Sequence, residues 1–509
     1  MNNKECVITV EIGTNAVRVM AFDLGGKVIG SMKGSYPTFH AEPDHSEQDP
    51  DQMFITMLYV LKNLLNEEIH ARNYKVISIC FCASMHSVLP IDKHGAPLGY
   101  AITWADNRGK REAAELRKSQ LGNEIYDTTG TPIHPMSPLI KITWLSRHDK
   151  ERFKKTYKFL SIKSYILQQL TNGYVLDYSL ASATGLMNIH NLSWESKSLD
   201  FAGITSDKLP DLVPVFHSPG KIRREYQKSL GLSADVKIIT GSSDGCLATL
   251  GGGVWEEGKA TITVEDSGAV RIVGKKVLQD DKQRFFNYLL TEKDYVSGGP
   301  TNNGGVIFEW FAKQFGVFKG PFDIEYTMVN LIHEAMEVAA GSEGLLFLPY
   351  LLGERAPIWN PNARGSYFGI NIKHEKQHFV RATIEGILYE IYSIGKTLEE
   401  HRNINSLTAS GSFASIPFCS QMIADIFNKP VSVGENPDNI ARGAFLLYAT
   451  DIGLFKSLDE AARSVVLANA YTPHKQNHKV YEKYFSIFER LSTKLYDEFE
   501  AISNYQNEQ

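Results

Sequence analysis

The sequence predicts an α/β protein of at least two domains, and three observations carry this prediction. The chain has 509 residues, more than one hydrophobic core usually supports. In both halves, β-rich segments are followed by patterns of helical period. The third observation is a local repeat, because Ile8-Thr9-Val10-Glu11 lines up with Ile262-Thr263-Val264-Glu265.

The elements of the first half follow from turn signals and hydrophobic spacing. Three β-rich segments are separated by Gly13-Thr14-Asn15 and by Leu24-Gly25-Gly26-Lys27. Apolar residues at helical spacing predict a helix over 52–70, and a buried strand follows at 76–82. Further helices are predicted over 107–121 and 138–148. In the latter, Ser137 is placed to cap the helix and Pro138 falls in the first turn, where its missing N–H costs nothing.

The second half repeats this order. Strands are predicted between 260 and 273, followed by helices over 302–315, 375–401, 416–427, 441–452 and 480–500. The repeat itself has two interpretations: a coincidence between β-rich sequences, or a duplicated domain whose two β-turns face each other across a cleft. In the second interpretation the turn Glu265-Asp266-Ser267 lies opposite Glu11-Ile12-Gly13-Thr14.

Composition excludes several classes of protein. A 43% apolar and 22% charged chain is typical of soluble globular proteins. The net charge of −5 argues against a dedicated binder of nucleic acid or anionic membranes. No apolar run approaches the ~18 residues of a spanning helix. The N-terminus enters a strand pattern without a signal-peptide core, and five cysteines suit reduced thiols, so we expect a cytoplasmic protein.

Several glycine-containing turns are candidates for phosphate binding. Gly13-Thr14 can direct backbone N–H groups at a phosphate without a Walker loop, although a plain hairpin has the same composition. The run from Gly298 to Gly305 opens a helix, whose free N–H groups and dipole favour anions. Gly411-Ser412 precedes a helix that carries Gln421 and Asp425. These openings are equally compatible with tight connections between elements.

Asp244 is the candidate general base. It follows the buried-strand pattern VKIIT and stands ahead of a run of small residues. A carboxylate at a strand end can accept the proton of a substrate hydroxyl within hydrogen-bond reach. The alternative is a helix-capping aspartate.

A polar cluster in the first half has the composition of a sugar site. Sugar-like ligands are held by carboxylate and amide hydrogen bonds beside an aromatic wall, and an acidic sugar also needs a cationic group. Each member can equally be structural, His86 as a core histidine and Trp104 as packing. The cluster contains Met85, His86, Trp104, Asp106, Arg108, His134 and Lys141.

Taken together, these segments resemble the FGGY family of carbohydrate kinases over nearly the whole chain. Residues 136–148 (MSPLIKITWLSRH) are similar to the family's N-terminal signature, and residues 352–369 (LGERAPIWNPNARGSYFG) are similar to its C-terminal landmark. The resemblance implies two actin-like (ribonuclease H-like) domains of class α/β flanking a central catalytic cleft. It assigns 1–246 to a sugar-binding domain and 247–509 to a nucleotide-binding domain with a C-terminal helical tail.

Within the family, the segments SMHSV, ITWADNR, TGTPIHPMSPLIKITWL, DYSLASATGLMN and GGPTNNGG most resemble bacterial gluconate kinases. Xylulose kinases share the Met-His pair and the Asp base but less of the TPIHPMSP run. The resemblance implies ATP-dependent phosphorylation of the C6 hydroxyl of D-gluconate, with Asp244 as catalytic base. His134 or Lys141 would meet the substrate carboxylate. The oligomeric state stays open, and a homodimer is compatible with the sequence.

The resemblance also assigns the cofactors, ATP and Mg²⁺. Glu11 is implied as the metal residue. The residues implied to bind nucleotide are Gly13, Thr14, Asn15, Arg18, Glu265, Asp266, Ser267, Gly304, Gly305, Gly411, Ser412, Gln421 and Asp425.

Three positions depart from the family pattern. Glu11 stands where the first phosphate turn usually begins with Asp, and Gly411-Ser412 replaces a usual Gly-Gly. Glu265-Asp266-Ser267 replaces a usual Gly-Thr-Ser, which adds two negative charges where the family grips phosphate. Two functions therefore compete at this point: an active sugar-acid kinase, and a kinase-fold sugar-acid binding protein with weakened ATP use.

Overall fold

The computed structural model describes residues 4–316, 324–434 and 438–508. The chain divides into two compact units. The first contains Met1–Trp255, Gly274–Ser297 and Asp438–Ser464, and the second contains Glu256–Val273, Gly298–Pro437 and Val465–Gln509. The first unit thus takes a late segment of the chain, which supplies helices distant in sequence from its sheet.

The strands are β1 Lys4–Ile12, β2 Ala16–Asp23, β3 Val28–Ser35, β4 Glu47–Gln48, β5 Tyr74–Ala83, β6 Leu89–Ile91, β7 Ala101–Ile102, β8 Lys158–Leu160, β9 Val175–Asp177, β10 Met187–Asn188, β11 Ser193–Trp194, β12 Asp211–Val213, β13 Lys237–Ile239, β14 Gly258–Val264, β15 Gly268–Gly274, β16 Phe286–Thr291, β17 Asp294–Thr301, β18 Leu346–Leu348, β19 Ser366–Phe368, β20 Ile404–Ser410, β21 Val431–Gly434 and β22 Leu467–Tyr471.

The α-helices are α1 Pro50–Leu64, α2 Lys110–Arg117, α3 Gln120–Thr129, α4 Pro138–His148, α5 Lys150–Lys155, α6 Ile162–Thr171, α7 Tyr178–Ser182, α8 Ser196–Ala202, α9 Arg224–Ser229, α10 Asp244–Gly251, α11 Gly305–Phe315, α12 Ile324–Met336, α13 Lys376–Glu399, α14 Pro417–Phe427, α15 Asn439–Asp451, α16 Leu458–Arg463, α17 Lys475–Lys494 and α18 Tyr496–Glu508. A π-helical segment, Leu65–His70, continues α1, and short 3₁₀ turns lie at Ser206–Lys208 and Ser342–Gly344.

The first unit is built on a sheet with the strand order β13-β5-β1-β2-β3. β1 pairs antiparallel with β2 and parallel with β5, and β13 pairs parallel with β5. The central strands are buried along most of their length, as expected of strands covered on both faces. Helices α1, α10 and α15 belong to the same unit.

The second unit repeats the same local pairing. Its strands run in the order β17-β15-β14-β20-β21-β22. β14 pairs antiparallel with β15 and parallel with β20, as β1 pairs with β2 and β5. The sequence repeat noted above therefore falls on equivalent hairpins, and the turn Glu265-Asp266-Ser267 joins β14 to β15 as Gly13-Thr14-Asn15 joins β1 to β2.

Three predicted helices differ from the structure by more than one or two terminal residues. The C-terminal helix predicted over 480–500 is two helices, α17 (Lys475–Lys494) and α18 (Tyr496–Glu508). The segment predicted as one helix over 107–121 is two helices, α2 and α3, because Ser119 caps α3 by accepting from the N–H of Gly122. The helix predicted over 302–315 begins at Gly305, because β17 extends to Thr301. The prediction for 138–148 agrees with α4 at both ends, and Ser137 is the N-cap residue, but its side chain makes no capping hydrogen bond.

The five cysteines are buried thiols. Burial raises the pKa of Cys80 to about 12, which keeps this thiol protonated at neutral pH. Among the helices of the described residues, none combines the length and the apolar character that a membrane crossing needs.

Candidate active site

Asp244 is the first residue of α10, directly after a glycine-dependent turn. Gly241 has φ +64°, and a Cβ at this position would lie 1.7 Å from the carbonyl oxygen of Phe81. Only glycine fits this approach, so the turn that delivers Asp244 is fixed by packing against β5. The Asp244 side chain is half-buried, and its Oδ1 accepts from the N–H of Gly245 at 2.6 Å. A carboxylate at a helix start is stabilised by the helix dipole.

Glu11, near the end of β1, lies among charged side chains of both signs. Arg18 lies opposite it on β2, with Nη1 3.4 Å from Glu11 Oε2 and 2.9 Å from Asp438 Oδ2. Burial, together with the carboxylates of Asp438 and Asp244, raises the pKa of Glu11 to about 7 despite the positive charges of Arg18 and Lys33. A divalent cation beside Glu11 would stabilise the charged form of this buried carboxylate.

This donor set fits Mg²⁺. Hard oxygen ligands suit that ion, which binds to proteins through one or two carboxylates together with water and substrate phosphates. Glu11 and Asp244 provide such carboxylates in the first unit. Among the described residues, no group of three or more His, Cys, Asp or Glu side chains forms a closed metal cage.

Asp438 is a residue that the sequence analysis missed. It caps α15 by accepting from the N–H of Ala441 at 3.0 Å, and its second oxygen binds Arg18. A capping signal was readable ahead of the helix, but the ion pair joins residues 420 positions apart. No local pattern reveals such a pairing.

The turn Gly13-Thr14-Asn15 is held from several sides. The N–H of Gly13 donates to Ala16 O at 3.0 Å, and Tyr36 Oη donates to Gly13 O at 2.5 Å. Thr14 Oγ1 accepts from the indole N–H of Trp104 at 2.9 Å. A residue predicted to line the sugar site therefore also supports the predicted phosphate turn.

Asp106 and Arg108 form one buried unit. Asp106 is fully buried, and its carboxylate accepts from Arg108 Nε at 2.8 Å, from Arg108 Nη2 at 2.7 Å and from the N–H of Ser46 at 2.7 Å. Arg108 Nη2 also lies 2.6 Å from Glu47 Oε1, and its guanidinium lies over the ring of Trp144 at 5.2 Å. Asp106 thus orients Arg108, whose charge is balanced by two carboxylates.

His86 and Lys141 meet through the backbone. Lys141 is fully buried, and its Nζ donates to the carbonyls of His86 and Met136 at 2.6 and 2.5 Å. Burial lowers the pKa of Lys141 to about 7. His86 has a positive φ of 71°, so this lysine holds a residue in a strained backbone conformation. Met85 is half-buried and packs against the hydrophobic core.

His134 and Tyr288 complete the cluster. Nδ1 of His134 accepts from the N–H of Met136 at 3.2 Å, which places the proton of the neutral ring on Nε2. Tyr288, on β16, lies with its hydroxyl 3.4 Å from Nε2 of His86 and stacks on Phe286 at 4.0 Å. Sequence reasoning missed Tyr288, because it lies in a continuous run of buried residues in β16 that gave no sign of a polar partner.

In the second unit, the turn Glu265-Asp266-Ser267 closes on itself and on the start of α11. The N–H of Glu265 donates to Ser267 O at 2.9 Å. The carbonyls of Glu265 and Asp266 accept from the N–H groups of Gly305 at 2.6 Å and Gly304 at 3.2 Å. A Cβ on Gly304 would lie 2.6 Å from Ser267, which explains the glycine. The first amides of α11 are therefore engaged by this turn.

The Glu265 side chain reaches the turn predicted to lie near adenosine. Its Oε2 accepts from the N–H of Ser412 at 3.3 Å. Gly411 has φ +96°, and a Cβ there would lie 2.3 Å from Val264 O, so the two turns are in close contact. Glu265, which stands where the family usually has glycine, thus places its carboxylate between the two predicted nucleotide turns of this unit.

Gln421 and Asp425, also predicted near adenosine, form a separate network. Gln421 Nε2 donates to Asp425 Oδ1 and to Thr472 O, both at 2.8 Å. Asp425 is buried and accepts from the N–H of His474 and from Asn477 Nδ2, both at 2.7 Å. These bonds tie α14 to the segment that starts α17.

Glu354, from the segment LGERAP, organises the run that opens α11. It is fully buried and accepts from Thr301 Oγ1 at 2.6 Å, Asn303 Nδ2 at 2.9 Å and the N–H of Asn302 at 3.1 Å. Burial raises its pKa. Sequence analysis noted the motif without a role for Glu354, which is to shape the loop before Gly304.

Comparison with known proteins shows which family the chain belongs to. Residues 6–251 match the N-terminal domain of the FGGY family of carbohydrate kinases, and residues 267–451 match its C-terminal domain. The chain belongs to this family. It is therefore an ATP-dependent carbohydrate kinase, a phosphotransferase with an alcohol group as acceptor, with the two-domain ribonuclease H-like (actin-like) fold.

Its relatives include kinases of two different substrates. The chain is 36% identical to a gluconokinase of Bacillus subtilis over 511 residues, covering 98% of each chain. It is 30% identical to a xylulose kinase of Staphylococcus epidermidis over 494 residues, covering 96% of each chain. Among solved structures, a gluconate kinase and a ligand-bound xylulose kinase, both from Lactobacillus acidophilus, superpose with TM-scores of 0.91. Their identities are 32% and 31%, and each alignment covers 97% of this chain and 100% of the other.

Proposed function

We propose that this FGGY kinase phosphorylates the C6 hydroxyl of D-gluconate, with Mg²⁺·ATP as the donor. The observation that carries the proposal is Asp244, a half-buried carboxylate at the start of α10 behind a turn that only glycine permits. The higher identity to gluconokinases, 36% against 30% for the xylulose kinases cited above, supports gluconate as the acceptor.

In this proposal, Asp244 accepts the proton of the C6 hydroxyl as the phosphoryl group is transferred. Positioning and electrostatics carry the rest of the catalysis, because phosphoryl transfer asks little covalent chemistry of the protein. When bound, Mg²⁺ supplies charge neutralisation for the phosphates, and Glu11 and Asp244 would hold it. Arg18 lies between the carboxylates of Glu11 and Asp438, and its positive charge offsets their mutual repulsion.

The substrate carboxylate needs a hydrogen-bond donor at the sugar site. Of the two residues predicted for this role, Lys141 already donates to two carbonyls and its pKa is lowered to about 7 by burial. His134 has Nδ1 engaged as an acceptor, so Nε2–H is its donor. We therefore assign the carboxylate contact to His134 and the support of His86 to Lys141, with Met85, Trp104 and Arg108 lining the sugar site.

The experiment that tests this function is identification of the product. Purified protein is incubated with ATP, Mg²⁺ and D-gluconate, and ³¹P and ¹³C NMR spectra of the product are recorded. A phosphomonoester on C6 is expected. The same incubation with xylulose, glycerol and ribulose, read by ADP release, provides the comparison, and turnover of xylulose in preference to gluconate would replace the proposal with a xylulose kinase.

A second candidate function rests on the turn Glu265-Asp266-Ser267. Two carboxylates there would repel triphosphate by about 1 kcal/mol per charge pair in water, or about 4 kcal/mol at an effective dielectric of ~20 and ~4 Å. The protein would then be a kinase-fold sugar-acid binding protein with weakened ATP use. Calorimetry separates the two functions, since tight Mg²⁺·ATP binding contradicts the second, and gluconate binding without nucleotide binding contradicts the first.

A further inference from the structure

A buried ion pair lies behind the loop that carries Asp244. Lys163, in the first turn of α6, has its Nζ 2.7 Å from Oδ2 of Asp177 at the end of β9. The two side chains are 1% and 0% exposed. An isolated charge at such a depth is strongly disfavoured, so each partner requires the other.

The lysine also binds the backbone of the catalytic loop. Its Nζ donates to the carbonyl of Ser242 at 3.1 Å, two residues before Asp244. A hydrogen bond from an ammonium group is roughly twice as strong as one between neutral groups. The ion pair therefore keeps a charged donor on the loop that precedes the base.

A second contact fixes the next residue of the same loop. Ser179 Oγ accepts from the N–H of Ser243 at 3.2 Å, and the two hydroxyls lie 2.9 Å apart. Ser179 stands in the first turn of α7, which Asp177 caps by accepting from the N–H of Leu180 at 3.0 Å. Asp177 thus supports both contacts, one through Lys163 and one through the helix that presents Ser179.

We propose that Lys163, charged by its pairing with Asp177, is a positioning residue that sets the place of Asp244 through the carbonyl of Ser242. This inference rests on the proposed function, in which Asp244 accepts the substrate proton. A hydrophobic pair of the same size would pack this site without desolvating two charges, so a purely structural role does not require the ions. A positioning role does require the charged lysine, because a displacement of about 1 Å at a reacting group can lower the rate by about 10²-fold.

The first test compares kcat with KM in Lys163→Met. The expected result is a fall in kcat of about 30- to 100-fold with the KM for gluconate within about threefold of the native value, because the sugar contacts are untouched. Lys163→Arg keeps a charged donor and should recover most of the kcat. Asp280→Asn, which removes a buried carboxylate from its ion pair with Arg284 in the same unit, is the matched control and should keep the native kcat.

The double variant Lys163→Met/Asp177→Asn separates position from stability. It removes both charges, and the introduced asparagine retains an oxygen that can cap α7, so the melting temperature should rise above that of Lys163→Met. The kcat should stay low, because the donor to Ser242 is still missing. A double variant that folds well and has the native kcat would overturn the proposal.

Hydrogen exchange supplies a readout that does not depend on turnover. In Lys163→Met, amides of residues 241–246 should exchange faster than in the native protein, while those of β1 and β2 stay unchanged. Unchanged exchange over 241–246 would overturn the positioning role whatever the activity. A native protein that turns over no sugar, yet shows the predicted exchange change, would instead contradict the proposed function and leave the Lys163 contact supported.

Discussion

At the level of single residues, the proposed function depends most on Asp244. It is half-buried, begins α10 and accepts a backbone hydrogen bond from Gly245. Replacing it with Asn keeps the size and removes the base. We expect kcat to fall by about 10²- to 10⁴-fold in Asp244→Asn, the range for loss of a general base.

The measurement is ADP release at saturating gluconate, with circular dichroism and thermal melting to show an intact fold. Asp235→Asn, at an exposed position of the same unit, is the control and should leave kcat unchanged. A folded Asp244→Asn variant with more than about a tenth of the native kcat would contradict the assignment of the base.

Lys141 gives a pH dependence with a definite sign. Burial lowers its pKa in the folded protein to about 7, from 10.5. Between these values the unfolded chain binds a proton that the folded protein does not, so stability rises with pH across this window and falls as the pH drops toward 7. Relative to Lys141→Met, the native protein should gain about 1.4 kcal/mol of unfolding free energy per pH unit between about pH 7.5 and 9.5.

Urea unfolding at both pH values measures this difference. Lys475→Met, at an exposed position, serves as the control and should track the native protein at both pH values. If the unfolding free energies of the native protein and Lys141→Met change in parallel with pH, Lys141 remains charged in the folded protein. His134 would then no longer be preferred over Lys141 as the contact for the substrate carboxylate.

At the level of elements, the β13–α10 turn depends on close approach at Gly241. Its φ of +64° alone would cost a side chain about 1 kcal/mol, but a Cβ would also meet Phe81 O at 1.7 Å. Gly453 has a similar φ of +79° and nothing within 4 Å of its Cβ position. Gly241→Ala should therefore lose at least about 2 kcal/mol more stability than Gly453→Ala, and only the former should lose activity.

Denaturant unfolding and kcat, measured on both variants, test this comparison. Equal losses of stability would mean that backbone strain alone, rather than packing against β5, holds the turn. Retained activity in Gly241→Ala would mean that Asp244 tolerates a displaced turn.

The acidic turn between β14 and β15 is the second element with a measurable consequence. Glu265 reaches the N–H of Ser412, and the turn carbonyls engage the first amides of α11. Glu265→Gln/Asp266→Asn removes two charges at nearly constant size. If both carboxylates face triphosphate, ATP should bind at least about tenfold more tightly, since ~1.4 kcal/mol is tenfold.

Isothermal titration with Mg²⁺·ATP measures the effect. The Glu265→Gly/Asp266→Thr variant restores the usual family residues and should bind ATP at least as tightly as Glu265→Gln/Asp266→Asn. Weaker binding in the charge-neutral variant would show that the carboxylates assist the nucleotide, as they would by holding an additional cation.

At the level of the whole molecule, the sequence predicted the fold class and the family correctly. The two-domain ribonuclease H-like fold followed from motifs that span the chain, and the repeat of Ile8–Glu11 at Ile262–Glu265 falls on equivalent hairpins. The sequence did not reveal that α15 belongs to the first unit, where Asp438 binds Arg18. Such contacts join residues hundreds of positions apart, and neither periodicity nor turn composition encodes them.

The sequence predicted which residues belong to the candidate site better than it predicted their contacts. His86, Lys141 and Asp106 were identified as a polar cluster, but only the structure reveals that Lys141 holds carbonyls and that Asp106 is used by Arg108. The roles of Tyr288 and Glu354 were missed because their hydrogen-bond partners are distant in sequence. Hydrogen bonds of this kind depend on packing that no single segment specifies.

The central claim concerns which sugar the kinase prefers, and a competition assay tests it most directly. Native protein, ATP and Mg²⁺ are supplied with equimolar D-gluconate and D-xylulose at concentrations below either KM, and the two phosphorylated products are quantified by NMR. The product ratio then equals the ratio of the two kcat/KM values. The proposed function predicts at least about a hundredfold excess of phosphogluconate, and an excess of phosphoxylulose would contradict it.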